Sequence, residues 1–154
     1  MKKTCRPVLR YRVKAARAIK TGSRGQGRMS GAMSRELECP KCAGMMEQVV
    51  LGGVSVERCR LCRGIWFDAD EFAKLRELEG SESVDDGSPF IGNLKDGVRN
   101  VVCPVCKLPM VSFEPPGTRR KFTLERCPSC KGMFFDAGEY SDFVLDESFW
   151  EEVR

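Results

Sequence analysis

Histidine is absent from this 154-residue chain, and the absence removes a large share of enzyme chemistry. Imidazole acid/base catalysis and Ser-His-Asp triads are excluded. No stretch approaches the ~20 apolar residues of a membrane span, and Lys2-Lys3 is not followed by the apolar core of a secretory signal. These absences describe a soluble, cytoplasmic chain with no membrane partner. Acidic residues are missing from one region only: residues 1–35 carry 11 Lys/Arg and no Asp/Glu, whereas the remainder carries 15 basic against 22 acidic residues.

Cysteine, by contrast, is abundant, with nine copies. Eight form four Cys-x-x-Cys pairs arranged as two tetrads, Cys39/Cys42 with Cys59/Cys62 and Cys103/Cys106 with Cys127/Cys130. Sixteen residues separate the pairs of the first tetrad and twenty those of the second, close to the spacing of a structural zinc site. Without a secretory signal, paired knuckles favour reduced thiolates and metal over a disulfide scaffold. The cofactor expected is zinc, two ions per chain, although all-cysteine iron of the rubredoxin type uses the same tetrahedral thiolates. Four cysteines fill the tetrahedron, whereas a catalytic zinc keeps a position for water. The expectation is therefore not an enzyme, with no catalytic residues and no small-molecule substrate. Cys5, the ninth, reads as a free surface thiol.

The tetrads lie in longer repeats. Glu57 to Glu71 aligns without a gap to Glu125 to Glu139, with nine of fifteen positions identical, and Cys39-Pro40-Lys41-Cys42 matches Cys103-Pro104-Val105-Cys106. The period of 64 to 68 residues makes one repeat the fold unit. A unit of this size buries too little apolar surface to stand without a staple. Zinc supplies it: four thiolates bind with an apparent ~10–16 kcal/mol at neutral pH, against the ~5–15 kcal/mol net stability of a whole domain.

Met46 to Leu51 and Val54 to Arg58 are β-prone runs around Gly52-Gly53, a hairpin signal. In the second copy Met110 to Glu114 and Lys121 to Arg126 flank a longer turn through Pro115-Pro116-Gly117-Thr118. Val54 and Val56, matched by Phe122 and Leu124, are expected to face a small core covered by Trp66/Phe134 or Phe67/Phe135. Asp68 and Asp136, each three residues before Glu71 and Glu139, form capping boxes for helices over about 69–78 and 137–145. Those helices bury Phe72, Leu75 and Leu78 in one copy and Tyr140, Phe143 and Val144 in the other. Gly80 to Asn100 has linker composition, with Phe90, Ile91 and Leu94 apolar enough to dock on a ribbon.

The joint pattern of Cys pairs, Gly, aromatic residue and Asp-Ala-x-Glu, running to Glu71 in one copy and Glu139 in the other, resembles the bacterial zinc-ribbon family named for the transcription factor IIB zinc finger. The resemblance implies a zinc-binding module and a transcriptional setting. The fold class expected is a small metal-stabilised α+β protein of two tandem zinc ribbons, each a knuckle-bearing β-hairpin or three-stranded sheet followed by a short helix. The organisation reads as a basic arm (1–36), ribbon 1 (37–79), linker (80–100), ribbon 2 (101–146) and tail (147–154). One departure stands out: Gly follows two residues after the second Cys in three pairs, but Leu108 does so after Cys106. That substitution is expected to alter the knuckle's backbone turn.

The function expected is a protein-docking or adaptor module with two independent structural sites. Nucleic acid is the alternative partner, met through Arg10, Arg12, Lys14 and Arg17 of the arm and Arg119, Arg120 and Lys121 at the second hairpin tip, because such contacts release counterions from phosphates. The arm reads equally as a segment like an organellar transit peptide or as an extension upstream of Met33. A third reading is thiol redox or chaperone-like activity: the Cys-x-x-Cys-x-Gly runs faintly resemble the zinc-binding repeats of the DnaJ cochaperones, without their second glycine and without a thioredoxin context.

Overall fold

Glycine at positions 52 and 53 lets the chain reverse with φ of 56° and 83°, and the flanking β-prone residues close into β1 (Met46–Leu51) and β2 (Val54–Cys59). The description that follows is of a computed structural model and covers residues 36–116 and 118–146. After the second knuckle come β3 (Ile65–Phe67) and α1 (Glu71–Leu75). The second copy repeats the plan with β4 (Val111–Phe113), β5 (Leu124–Arg126), β6 (Met133–Phe135) and α3 (Glu139–Leu145).

The two ribbons do not form separate sheets. Strand β3 pairs antiparallel with β6, placing Trp66 opposite Phe134, so the six strands make one sheet ordered β1-β2-β3-β6-β5-β4. The two four-cysteine sites stay separate, while the ribbons that carry them share one sheet. The reason lies in the central strands, which are apolar at consecutive positions and therefore need cover on both faces. Val56, Ile65, Phe67, Leu124 and Phe135 pack on one face with Leu75, Val84, Tyr140 and Phe143. Trp66 and Phe134 point to the other, among Met46, Cys39, Cys59, Cys103 and Cys127. Both aromatic pairs cover a core, one on each side. Complete burial of Trp66, Phe67, Phe134 and Phe135 stabilises the seam by roughly 1.5–3 kcal/mol per side chain.

Several local expectations are adjusted. The second hairpin's strands are shorter than the 110–114 and 121–126 runs, because Pro115-Pro116 cannot continue a ladder. The helices begin at Glu71 and Glu139 rather than at 69 and 137. Residues 80–100, expected as linker, hold a 3-10 turn (Ser81–Val84) and α2 (Pro89–Lys95). Asp85 of this segment accepts hydrogen bonds from the backbone N–H of Gly138 at 2.9 Å and Ser141 at 3.0 Å, tying the connection to the start of α3. On α2, Ile91 packs against the cysteine-bearing core, whereas Phe90 and Leu94 remain 69 % and 63 % exposed. Among the described residues no helix is long and apolar enough to cross a membrane.

Candidate metal centres

Each Cys-x-x-Cys pair is closed by the same backbone device. The residue after the second cysteine is left-handed in all four, at Ala43, Arg63, Lys107 and Lys131 (φ 57° to 65°). Its N–H bonds back to the carbonyl of the first cysteine. The first cysteine's own N–H bonds forward to the carbonyl of Gly44, Gly64, Leu108 or Gly132, at 2.8–2.9 Å. Leu108 thus makes the same bond as the three glycines, which corrects the expectation of an altered turn. Gly64 and Gly132 are needed for packing. A Cβ on Gly64 would lie 2.4 Å from the Phe134 ring, and one on Gly132 would lie 2.2 Å from the Trp66 indole, so each ribbon's knuckle presses on the other's aromatic residue.

The knuckles gather Cys39, Cys42, Cys59 and Cys62 into one cluster and Cys103, Cys106, Cys127 and Cys130 into another, with all sulfurs of a cluster within 4.8 Å of one another. Neighbouring sulfurs stand 3.6 Å apart for Cys39–Cys62, 3.5 Å for Cys42–Cys59 and 3.7 Å for Cys103–Cys130. A tetrahedron with Zn–S bonds of ~2.3 Å has edges of about 3.8 Å, so both clusters have the dimensions of a four-thiolate zinc site. Two zinc ions fit the chain. Backbone N–H groups of Leu61 and Cys62 point at the Cys59 sulfur at 3.4 Å, and that of Cys106 points at Cys103 at 3.2 Å, favouring thiolate over thiol. Without a metal the thiols of this cluster share protons, and their mutual hydrogen bonds lower Cys59 and raise Cys39. Burial works to raise Cys127, but N–H groups of Cys130 and Ser129 overcome it, bringing the thiol to about 7.

Beside the first centre lies a buried ion cluster that reading the sequence does not anticipate. Lys41, between Cys39 and Cys42, reaches into ribbon 2 and donates to Glu125 at 2.8 Å, Asp136 at 3.0 Å and the carbonyl of Lys95 at 3.3 Å. Its side chain and both carboxylates are essentially inaccessible to solvent. Burial works against the ammonium, and Asp136 and Glu125 outweigh it, raising Lys41. Burial also pushes Glu125 up to about 7, Asp136 to about 6 and Glu139 to about 9, with Lys41 opposing the rise in the first two. A lysine in the first knuckle, where the second has Val105, was the available sign.

The capping boxes form only by half. Glu71 accepts from the N–H of Asp68 at 2.8 Å, and Glu139 from that of Asp136 at 2.7 Å. The aspartates do not cap in return: Asp68 accepts from the Trp66 indole at 3.1 Å, and Asp136 accepts from Lys41.

The basic tip of ribbon 2 is partly neutralised within the fold. The Arg119 N–H bonds to Asp146 at 2.6 Å, and Arg120 pairs with Asp142 at 2.5 Å and donates to Asn93 at 3.2 Å. Lys121 is exposed. Arg10, Arg12, Lys14, Arg17 and Cys5 lie outside the described residues.

No curated protein and no solved structure matches the chain. A family model described as "Transcription factor zinc-finger", the zinc ribbon of the transcription factor IIB type, matches residues 38–78 and 102–145. These segments span both cysteine clusters and more than half of the sequence. The chain therefore belongs to the transcription factor zinc-finger family and carries two tandem copies of its zinc ribbon.

Proposed function

We propose that this chain is a non-enzymatic protein-docking adaptor, held rigid by two structural zinc ions and working in a cytoplasmic, transcription-related setting. Four sulfurs per centre match a closed tetrahedron, which supports a structural role for the metal. The observation that carries the docking reading is the outer face of α2. Phe90 and Leu94, one helical turn apart, stand exposed on a helix whose Gly92 is packed directly on the backbone of Ala137. A rigid helix presenting adjacent large apolar side chains suits protein recognition.

The nucleic-acid alternative draws less support from the hairpin tip, where Asp142 and Asp146 already face Arg120 and Arg119. Its remaining basis is the arm. Recovery of bound partners with the wild-type chain and with a Phe90→Asp/Leu94→Asp variant, before and after nuclease treatment, separates the two readings. The docking reading expects a protein that nuclease leaves in place and the double substitution releases, with two zinc ions retained. Binding abolished by nuclease or by deletion of residues 1–32, and falling steeply with salt, would replace it with the nucleic-acid reading.

A further inference from the structure

The buried ion cluster between the ribbons holds more carboxylate oxygens than Lys41 can serve. An ammonium has three N–H donors, and Lys41 directs them at Glu125, Asp136 and the Lys95 carbonyl. Three carboxylate oxygens around it are buried with no hydrogen-bond partner among the described residues: Oδ1 of Asp96, Oε2 of Glu125 and Oδ1 of Asp136. The side chains of Glu125 and Asp136 are each only 1 % exposed. A charged acceptor left unsatisfied at that depth is strongly destabilising, so these oxygens call for a second cation.

The geometry offers a place for one. Asp96, Asp136 and Glu139 bring one carboxylate oxygen each to within 4.8 Å of one another. Oxygens that share an ion have this spacing: metal–oxygen distances of about 2.1 Å for Mg2+ and about 2.4 Å for Ca2+ put opposite ligands about 4.2 and 4.8 Å apart. Asp96 ends α2, its N–H bonded to the Gly92 carbonyl at 2.9 Å, whereas Asp136 and Glu139 lie at the start of α3. These two elements are locked together, because a Cβ on Gly92 would meet the Ala137 carbonyl oxygen at 2.1 Å. Packing therefore sets the spacing of the three carboxylates before any ion arrives. Ribbon 1 has no counterpart: Asp68 accepts from the Trp66 indole, and among the described residues no third carboxylate joins Asp68 and Glu71 at such distances.

We propose that Asp96, Asp136 and Glu139 form a third metal site, one for a hard divalent cation of the Mg2+, Ca2+ or Mn2+ kind. All three ligands are oxygens, which suit hard cations, whereas the thiolate tetrads suit zinc. The unpartnered oxygens of Asp96 and Asp136 become ligands. The ion's two charges and the Lys41 ammonium then stand against four carboxylates, Glu125 included. In the ion-free protein a proton on Glu139, favoured by burial and by the Asp136 charge, meets part of the same need. The site does not depend on what docks on the outer face of α2.

The test adds Mn2+ to the zinc-loaded full chain. The expected result is one Mn2+ per chain beyond the two zinc ions, with paramagnetic broadening centred on the amides of Asp96, Gly138 and Glu139. Removing even a partner behind a metal ligand costs roughly 10–100-fold in affinity, so Asp96→Asn should weaken Mn2+ by at least about tenfold. Glu139→Gln, which keeps an acceptor for the Asp136 N–H, should do the same. Asp70→Asn, at the exposed start of α1, should leave binding unchanged, and all three variants should retain two zinc ions. The proposal is overturned if Mn2+ enters only by displacing zinc or does not bind at all. Broadening centred on Asp68 to Glu71, or unchanged affinity in Asp96→Asn and Glu139→Gln, overturns it too.

Discussion

The two ribbons share one knuckle geometry but differ in nearly everything placed around it. Ribbon 1 has a hairpin of two six-residue strands, an ion network at Glu47 and a lysine in its first knuckle; ribbon 2 has a hairpin of three-residue strands, Val111 in place of Glu47 and Val105 in place of Lys41. What they hold in common is the metal scaffold and the β3/β6 seam. The comparison teaches that the zinc sites and the seam are under the same packing constraint, while positions off both are free to specialise one copy as donor and the other as acceptor of contacts.

The largest expected effect tests whether the copies are separable. Zinc binding supplies ~10–16 kcal/mol per four-thiolate site, and the shared sheet couples the two. Cys62→Ser and Cys130→Ser should each abolish one site and also broaden or shift the amide spectrum of the opposite ribbon. Stepwise chelation followed by NMR checks this, and two clean, independent transitions would restore the picture of separate ribbons. Next in size is Lys41→Met. Removing one partner of a buried pair leaves uncompensated charge and costs about 3–5 kcal/mol, here falling on ribbon 2 although the substitution is in ribbon 1. Val105→Met, at the matching position, should change stability little; denaturant unfolding of the zinc-loaded variants measures both.

Smaller is the effect of crowding the seam. Gly64→Ala and Gly132→Ala push a methyl into Phe134 or Trp66, and overpacking of this kind costs roughly 1–3 kcal/mol. Gly44→Ala meets the side chain of Leu61, which is 72 % exposed and can move away, and the Cys59 sulfur at 3.1 Å, so its cost should be smaller than at the seam. Equal losses at all three positions, read from unfolding midpoints, would mean that these glycines serve the turn instead of the interface.

These same glycines show what the sequence made legible. The cysteine spacing led directly to both clusters, and the repeat of Glu57–Glu71 in Glu125–Glu139 led to the tandem fold, because ligand identity and local pattern carry that information. The seam was harder to read. Its evidence was consecutive apolar residues at Ile65-Trp66-Phe67 and Met133-Phe134-Phe135, which serve a two-sided central strand but read equally well as cover for a small one-sided core. Lys41 was harder still, since a lysine between two cysteines usually points to solvent, and its partners are 84 and 95 residues away. Residues 80–100 looked like linker because Gly, Ser and Asp dominate; tertiary contacts, Asp85 to α3 among them, supply the order that composition does not.

The last comparison separates the two helix-start glutamates by pH. Burial, then the Asp136 charge, raises Glu139 from the ordinary 4.5 to about 9; burial also raises the half-exposed Glu71, though its carboxylate lies in a more open setting. A carboxyl with a raised folded-state pKa binds more protons folded than unfolded, so stability falls as pH rises between the two values, by up to about 1.4 kcal/mol per unit. Glu139→Gln removes the titration while keeping an acceptor for the Asp136 N–H. The variant should therefore gain on the wild type as pH approaches 9, whereas Glu71→Gln should gain much less. Denaturant unfolding of the zinc-loaded proteins from neutral pH upward, where the thiolates retain metal, provides the comparison. A wild-type stability that stays flat over this range would show that Glu139 is already ionised in the fold and that Lys41 balances more negative charge than burial alone permits.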